Sequence, residues 1–139
     1  WDEDRITHLL ERYGAQIEDL GALIDADSSL GAPLAKAPQF LRADVVFAVR
    51  YEGALHLEDV LVRRVRLDLE QRDRGLAAAD EILEILRSEL GWDDQKVKEE
   101  RDLYAARVQA IREAESTSTD AEASAKIEAV APVAPRVKL

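Results

Sequence analysis

Leu76, Ala79, Leu83, Leu86 and Leu90 recur at intervals of three, four, three and four residues. A helix turning every 3.6 residues gathers such positions into one apolar seam, whereas a strand, alternating every second residue, scatters them over both faces. Gly91 is suited to stopping this helix in the left-handed conformation, and Asp93 to capping the next one. Val97, Tyr104, Val108 and Ile111 then mark a second stripe that can face the first. A helix, a tight turn and a helix predict a long αα-hairpin.

The residues before it read as further helices. Ile6, Leu9, Leu10 and Tyr13 follow the i, i+3, i+4, i+7 rule, with Gly14 to end the helix. Ile17, Leu20, Leu23 and Ile24 repeat the pattern, and the stretch from Asp25 to Pro33 is a loop by composition. Pro38 suits the first turn of a third helix, where its missing N–H is no loss. The run Val45-Val46-Phe47-Ala48-Val49 fits a buried strand or a helix buried on most sides. Leu41, Val45, Ala48 and Glu52 share one helical face and no partner strand offers itself, which favours the helix. A fourth helix is expected from about Leu57, acidic at its start (Glu58, Asp59) and basic towards its end (Arg63, Arg64, Arg66), the order that complements the helix dipole. The fold class expected is therefore all-α: a compact bundle of about six helices over residues 1–115, ending in the hairpin. Residues 116–139, rich in Ser, Thr, Ala, Val and Pro, read as an irregular tail.

Of the 139 residues 47% are apolar, enough for a real core. Cysteine is absent, which excludes disulfides, thiolate metal sites, iron–sulfur clusters and thiol nucleophiles. The formal net charge of −10 disfavours nucleic acid and anionic lipid as whole-chain partners. No apolar run approaches the roughly 20 residues that span a bilayer, and the acidic start Trp-Asp-Glu-Asp is no signal peptide. Methionine is also absent, and Trp1 is too large to follow a removed initiator. The chain is expected to be a segment of a longer polypeptide.

Among the six glycines no two are separated by a single residue, so there is neither a dinucleotide fingerprint nor a phosphate-binding loop. His8 and His56 are the only histidines, 48 residues apart and outside any ligand pattern. Ser28-Ser29 has no histidine nearby and no GxSxG context. Acidic pairs such as Asp93/Asp94 and Glu99/Glu100 fit helix starts and solvated faces better than a calcium loop. No catalytic, cofactor-binding or metal-ligating residue is expected.

One segment stands apart, from Tyr51 to Arg66. Asp59 and Arg63 are four residues apart on the fourth helix and can pair. Arg64 points elsewhere, free to grip a carboxylate or carbonyl on a neighbouring element, with Glu52 the leading candidate because Gly53 lets the chain turn back. A solvated charged helix is the other reading of the same pattern.

That segment resembles the C-terminal helical domain of the FAD-dependent (aerobic, quinone-linked) glycerol-3-phosphate dehydrogenases. The residues that carry the likeness are Asp44, Glu52, Asp59, Leu61, Arg63, Arg64 and Arg66, flanked by Leu9-Leu10-Glu11-Arg12-Tyr13-Gly14, Ala43-Asp44-Val45-Val46-Phe47, Asp73-Arg74-Gly75 and Leu90-Gly91-Trp92. It covers about residues 5 to 115. Val65 and His56 stand where the family has threonine, and Asp44 where it has glutamate. The resemblance implies a parent enzyme of glycerol metabolism. This flavoprotein oxidoreductase oxidises sn-glycerol 3-phosphate to dihydroxyacetone phosphate, with FAD taking the hydride and a quinone as acceptor. It implies a cytoplasmic location, with the parent peripheral on the inner face of the membrane. FAD and catalysis belong upstream. This domain is then a non-catalytic cap or support, with Glu52, Asp59, Arg63, Arg64 and Arg66 as structural or domain-docking residues. Its partners are the upstream FAD-binding catalytic domain and, by self-association, further copies. A free-standing acidic helical interaction module is the alternative.

Overall fold

A computed structural model describes residues 1–117 and 119–130; the last part of the expected tail, 131–139, lies outside the described residues. The first helix, α1, runs Glu3–Tyr13, capped by Asp2, whose carboxylate accepts from the Arg5 N–H at 2.9 Å. Gly14, at φ +52°, turns the chain out of it into a short 3₁₀ turn, a conformation that glycine takes at little cost. Helix α2 covers Ile17–Ala26, and a 3₁₀ turn, Ser28–Gly31, follows.

The sequence reading fails at Pro38. Instead of opening a helix, it lies within a strand, β2 (Ala37–Leu41), paired antiparallel with β1 (Pro33–Leu34). The ribbon turns Leu34, Ala37, Phe40 and Leu41 inward while Pro33 and Pro38 stay exposed. Proline is tolerated there because an edge strand leaves backbone donors unpaired anyway. Helix α3 starts only at Arg42 and ends at Arg50.

The ambiguous apolar run is helical, and every residue from Ala43 to Ala48 is buried. The reason is its position between two apolar cores. Val45 and Ala48 join Phe40, Leu57, Leu61, Ile82, Leu83 and Tyr104. Val46 and Phe47 join Leu9, Tyr13, Leu20 and Leu23 from α1 and α2. A helix covered all round loses its amphipathic signature, which is why it reads like a strand.

The fourth helix begins with Leu57 and Glu58 but is wound as a π-helix over Asp59–Arg64; the Val65 N–H reaches the Val60 carbonyl five residues back, at 2.8 Å. A short helix, α4 (Leu67–Glu70), comes next, and Gly75 at φ +83° leads into the hairpin of α5 (Leu76–Leu90) and α6 (Asp94–Glu115). Gly91 and Asp93 end and cap the two helices as their residue types predict. In the seam Ala79, Leu83 and Leu86 are buried against Val97, Tyr104 and Val108. The stretch read as a tail contains one more helix, α7 (Asp120–Glu128), capped by Thr119 and folded back along α6. Among the described residues no helix is long and apolar enough to cross a membrane.

Candidate functional site

The segment from Tyr51 to Arg66 leaves α3, turns at Gly53 (φ +71°) and enters the π-helix. Asp59 pairs with Arg63 one turn on, and its other oxygen accepts the Leu55 and His56 N–H groups at 3.0 and 3.1 Å. Asp59 thus closes the turn that starts the helix, and Arg63 holds it from the exposed side. Arg64 is half-buried and donates to the backbone carbonyl of Glu52 at 2.7 Å. Arg66 is exposed, in the left-handed region at φ 58°.

The carboxylate of Glu52 turns instead to Arg12 on α1, at 3.7 Å, an arginine that the sequence reading names only in a flanking stretch and gives no site role. Arg12 is the hub of this region. It donates to the Arg64 carbonyl at 2.6 Å, faces Asp44 at 3.5 Å, and lies 5.0 Å from the centre of the Tyr13 ring. Asp44 is fully buried at the start of α3; it accepts from the Leu41 N–H at 2.6 Å and from the Tyr13 hydroxyl. Burial works against the charged form of Arg12, but Tyr13, Asp44 and Glu52 outweigh that penalty and hold its pKa above the ordinary value. Burial, together with the Asp44 charge, pushes the Tyr13 phenol far up, so it stays a hydrogen-bond donor. One arginine therefore ties α1, the start of α3, the turn after it and the end of the π-helix.

A second polar centre lies at the start of the fourth helix. Glu100 of α6 is 1% exposed. Its carboxylate accepts from His56 Nδ1 at 2.8 Å, from the Leu57 N–H at 3.0 Å and from Lys96 Nζ at 2.8 Å. The helix start at Leu57 is thus capped by an acid from 43 residues away. Burial alone would raise the Glu100 pKa; Lys96, His56 and the Leu57 N–H together hold it below the ordinary value. Beside it, the buried Glu58 pairs with Arg107 at 3.1 Å. Glu100 corrects the reading of Glu99/Glu100 as a solvated pair. The signal was present: the stripe of α6 skips from Val97 to Tyr104, and Glu100 fills the inward position in that gap.

Glu52, Arg64 and Asp59 are therefore drawn into internal contacts, Arg63 closes Asp59 from outside, and Arg66 faces solvent. Chemically, both centres are built to hold charge still. Asp44, Asp59 and Glu100 accept from fixed backbone N–H donors, and the Tyr13 hydroxyl is committed to Asp44. Among the described residues no three His, Asp or Glu side chains converge as metal donors.

Comparison with known proteins places the chain among relatives. The family described as the C-terminal domain of alpha-glycerophosphate oxidase matches residues 1–97. Glycerol-3-phosphate dehydrogenase 2 of Mycobacterium tuberculosis is 42% identical over 106 residues, 76% of this chain and 18% of that protein. The glycerol-3-phosphate dehydrogenase of Mycobacterium leprae is 43% identical over the same share. A mitochondrial glycerol-3-phosphate dehydrogenase of Arabidopsis thaliana is 34% identical over 93 residues, 67% of this chain and 15% of its own length. The chain thus spans less than a fifth of these relatives. No solved structure matches it significantly.

Proposed function

The chain belongs to the family of C-terminal domains of alpha-glycerophosphate oxidase, and on that premise we propose that it is the non-catalytic support domain of a larger glycerol-3-phosphate dehydrogenase. The parent oxidises sn-glycerol 3-phosphate to dihydroxyacetone phosphate, with FAD as the hydride acceptor and a quinone downstream. The same reading puts the parent in the cytoplasm, peripheral on the inner face of the membrane where a quinone can be reached. The observation that carries it is the match over residues 1–97 in a chain covering only 18% of its dehydrogenase relatives.

The residues present do not fit the flavin. A dinucleotide diphosphate needs backbone N–H groups at a glycine-rich helix start. Here α1 and α6 start behind Asp2 and Asp93, whose carboxylates repel an anion. At the start of α5, the space above Gly75 is filled by Leu61 and Leu67. The groove between α2, α3 and α5, 490 Å³ in volume, is lined by Asp27, Glu81, Glu84 and Glu89 against Arg42 and Arg50; the two arginines are already paired with Glu81 and Glu89, so the charge left over is acidic and does not suit a diphosphate. FAD therefore belongs to the portion of the polypeptide outside this chain.

In this reading Glu52, Asp59, Arg63 and Arg64 are structural. Asp59 and Arg63 close the turn that starts the π-helix, Arg64 ties its end to the Glu52 carbonyl, and the Glu52 carboxylate faces Arg12 of α1; Arg66, exposed and without such a contact among the described residues, is the one of the five left for contact with the catalytic portion. The test is the flavin content of the whole polypeptide and of this chain, each purified and denatured to release bound cofactor. The reading expects one FAD per whole polypeptide and none on the chain. A whole polypeptide without flavin refutes it and favours the free-standing interaction module.

A further inference from the structure

Trp1, Ile6 and Leu10 are 62%, 43% and 50% exposed. They are half of the exposed large apolar residues among those described; Tyr51 and Leu55 lie in the turn after α3, Leu69 is on α4, and the long hairpin helices carry none. The three belong together by position. With Asp2 as cap, Trp1 and Ile6 occupy the two places of a hydrophobic staple, and Leu10 follows Ile6 by one turn. On the helix this stripe borders Leu9 and Tyr13, which are buried in the core behind α1.

The charges around the stripe are sorted. Both arginines of α1 are turned towards the domain: Arg5 donates to the Pro38 carbonyl at 2.7 Å and Arg12 to the Arg64 carbonyl at 2.6 Å. The exposed ionised side chains left on the helix are Glu3, Asp4 and Glu11, all acidic. The outward surface of α1 is therefore an apolar stripe edged by carboxylates, on a helix fastened from behind by the Arg12 network. Its complement is an apolar patch edged by lysine or arginine.

Resting on the reading above, we infer that the Trp1–Ile6–Leu10 stripe of α1 is the surface on which the preceding catalytic portion of the same polypeptide packs. More than four fifths of the length of the mycobacterial relatives lies outside this chain. A domain described as C-terminal is joined to the rest at its N-terminal end, where the stripe begins. The tethered portion is then held at a high effective concentration beside α1. Covering the stripe removes apolar surface from water, which drives the contact.

Hydroxyl-radical footprinting read residue by residue in a mass spectrometer tests this on the full-length polypeptide and on the 139-residue chain. Trp1, Ile6 and Leu10 are expected to be oxidised several-fold more slowly in the full-length protein, with Leu55 unchanged. In full-length Leu10→Asp, where the substituted side chain is half-exposed, Trp1 and Ile6 are expected to regain the rate of the isolated chain. Protection confined to another surface, such as Arg66 and Leu69, overturns the assignment of α1 but leaves the support-domain reading standing. Equal oxidation everywhere in the two samples overturns both. Protection of the stripe in the isolated chain that grows with its concentration assigns the surface to a second copy and overturns the inference.

Discussion

Removing the charge of Glu100 is the most informative perturbation of the fold. The carboxylate accepts three bonds in a buried site, from His56, the Leu57 N–H and Lys96. Glu100→Ala leaves the buried Leu57 N–H without an acceptor, a loss of about 1–3 kcal/mol on its own. It also strands His56 and Lys96. Breaking a fully buried ion pair costs about 3–5 kcal/mol, but the partly exposed Lys96 recovers solvation, so about 2–4 kcal/mol is expected in urea melts at neutral pH. Glu100→Gln keeps an acceptor for the Leu57 N–H and is expected to lose about 1–2 kcal/mol, the charge-assisted part. The pH dependence has a definite sign. Because the folded-state pKa of Glu100 lies below the ordinary 4.5, its contribution is complete above that value and disappears as the pH falls through the folded pKa. The wild-type chain is expected to lose stability relative to Glu100→Gln on acidification below the ordinary value. A loss under about 0.5 kcal/mol for Glu100→Ala, or an unchanged acid slope in Glu100→Gln, refutes the capping role.

Four other substitutions follow from the packing and contacts described above. Arg12→Ala is expected to cost about 2–4 kcal/mol, whereas Arg63→Ala, on an exposed pair, costs about 0–1; chemical denaturation of the two variants side by side checks the order. Gly75→Ala is expected to destabilise by about 1–3 kcal/mol, since the backbone is left-handed and a Cβ would stand 2.9 Å from Leu61 and 3.0 Å from Leu67; a melt unchanged from wild type contradicts that. Leu83→Ala, at a fully buried seam position, is expected to lose about 2–5 kcal/mol, again by urea titration.

The hairpin of α5 and α6 is legible in the sequence because period, stop and cap are all local signals, written within a few residues of Gly91. The β1–β2 ribbon is not. Its first strand has two residues, and Pro38 carries the same signature whether it starts a helix or sits on a strand edge. The π-winding of Asp59–Arg64 is likewise hidden, because a shift from four to five residues per backbone bond leaves the Asp59–Arg63 spacing able to pair. The Arg12 hub joins residues that are separated by more than thirty positions along the chain, a distance over which no spacing rule operates. Ile6 and Leu10 fit the apolar pattern of α1 yet stay exposed. Periodicity reports a stripe but not how much of it the domain itself covers.

The central claim is that this chain supports, and does not perform, the oxidation of sn-glycerol 3-phosphate. Turnover of that substrate with an artificial electron acceptor, measured for the full-length polypeptide and for the 139-residue chain at equal concentration, tests it most directly. The account predicts flavin-dependent oxidation by the full-length protein and none by the chain. Oxidation by a clean preparation of the chain alone, or an inert full-length polypeptide carrying its flavin, contradicts it.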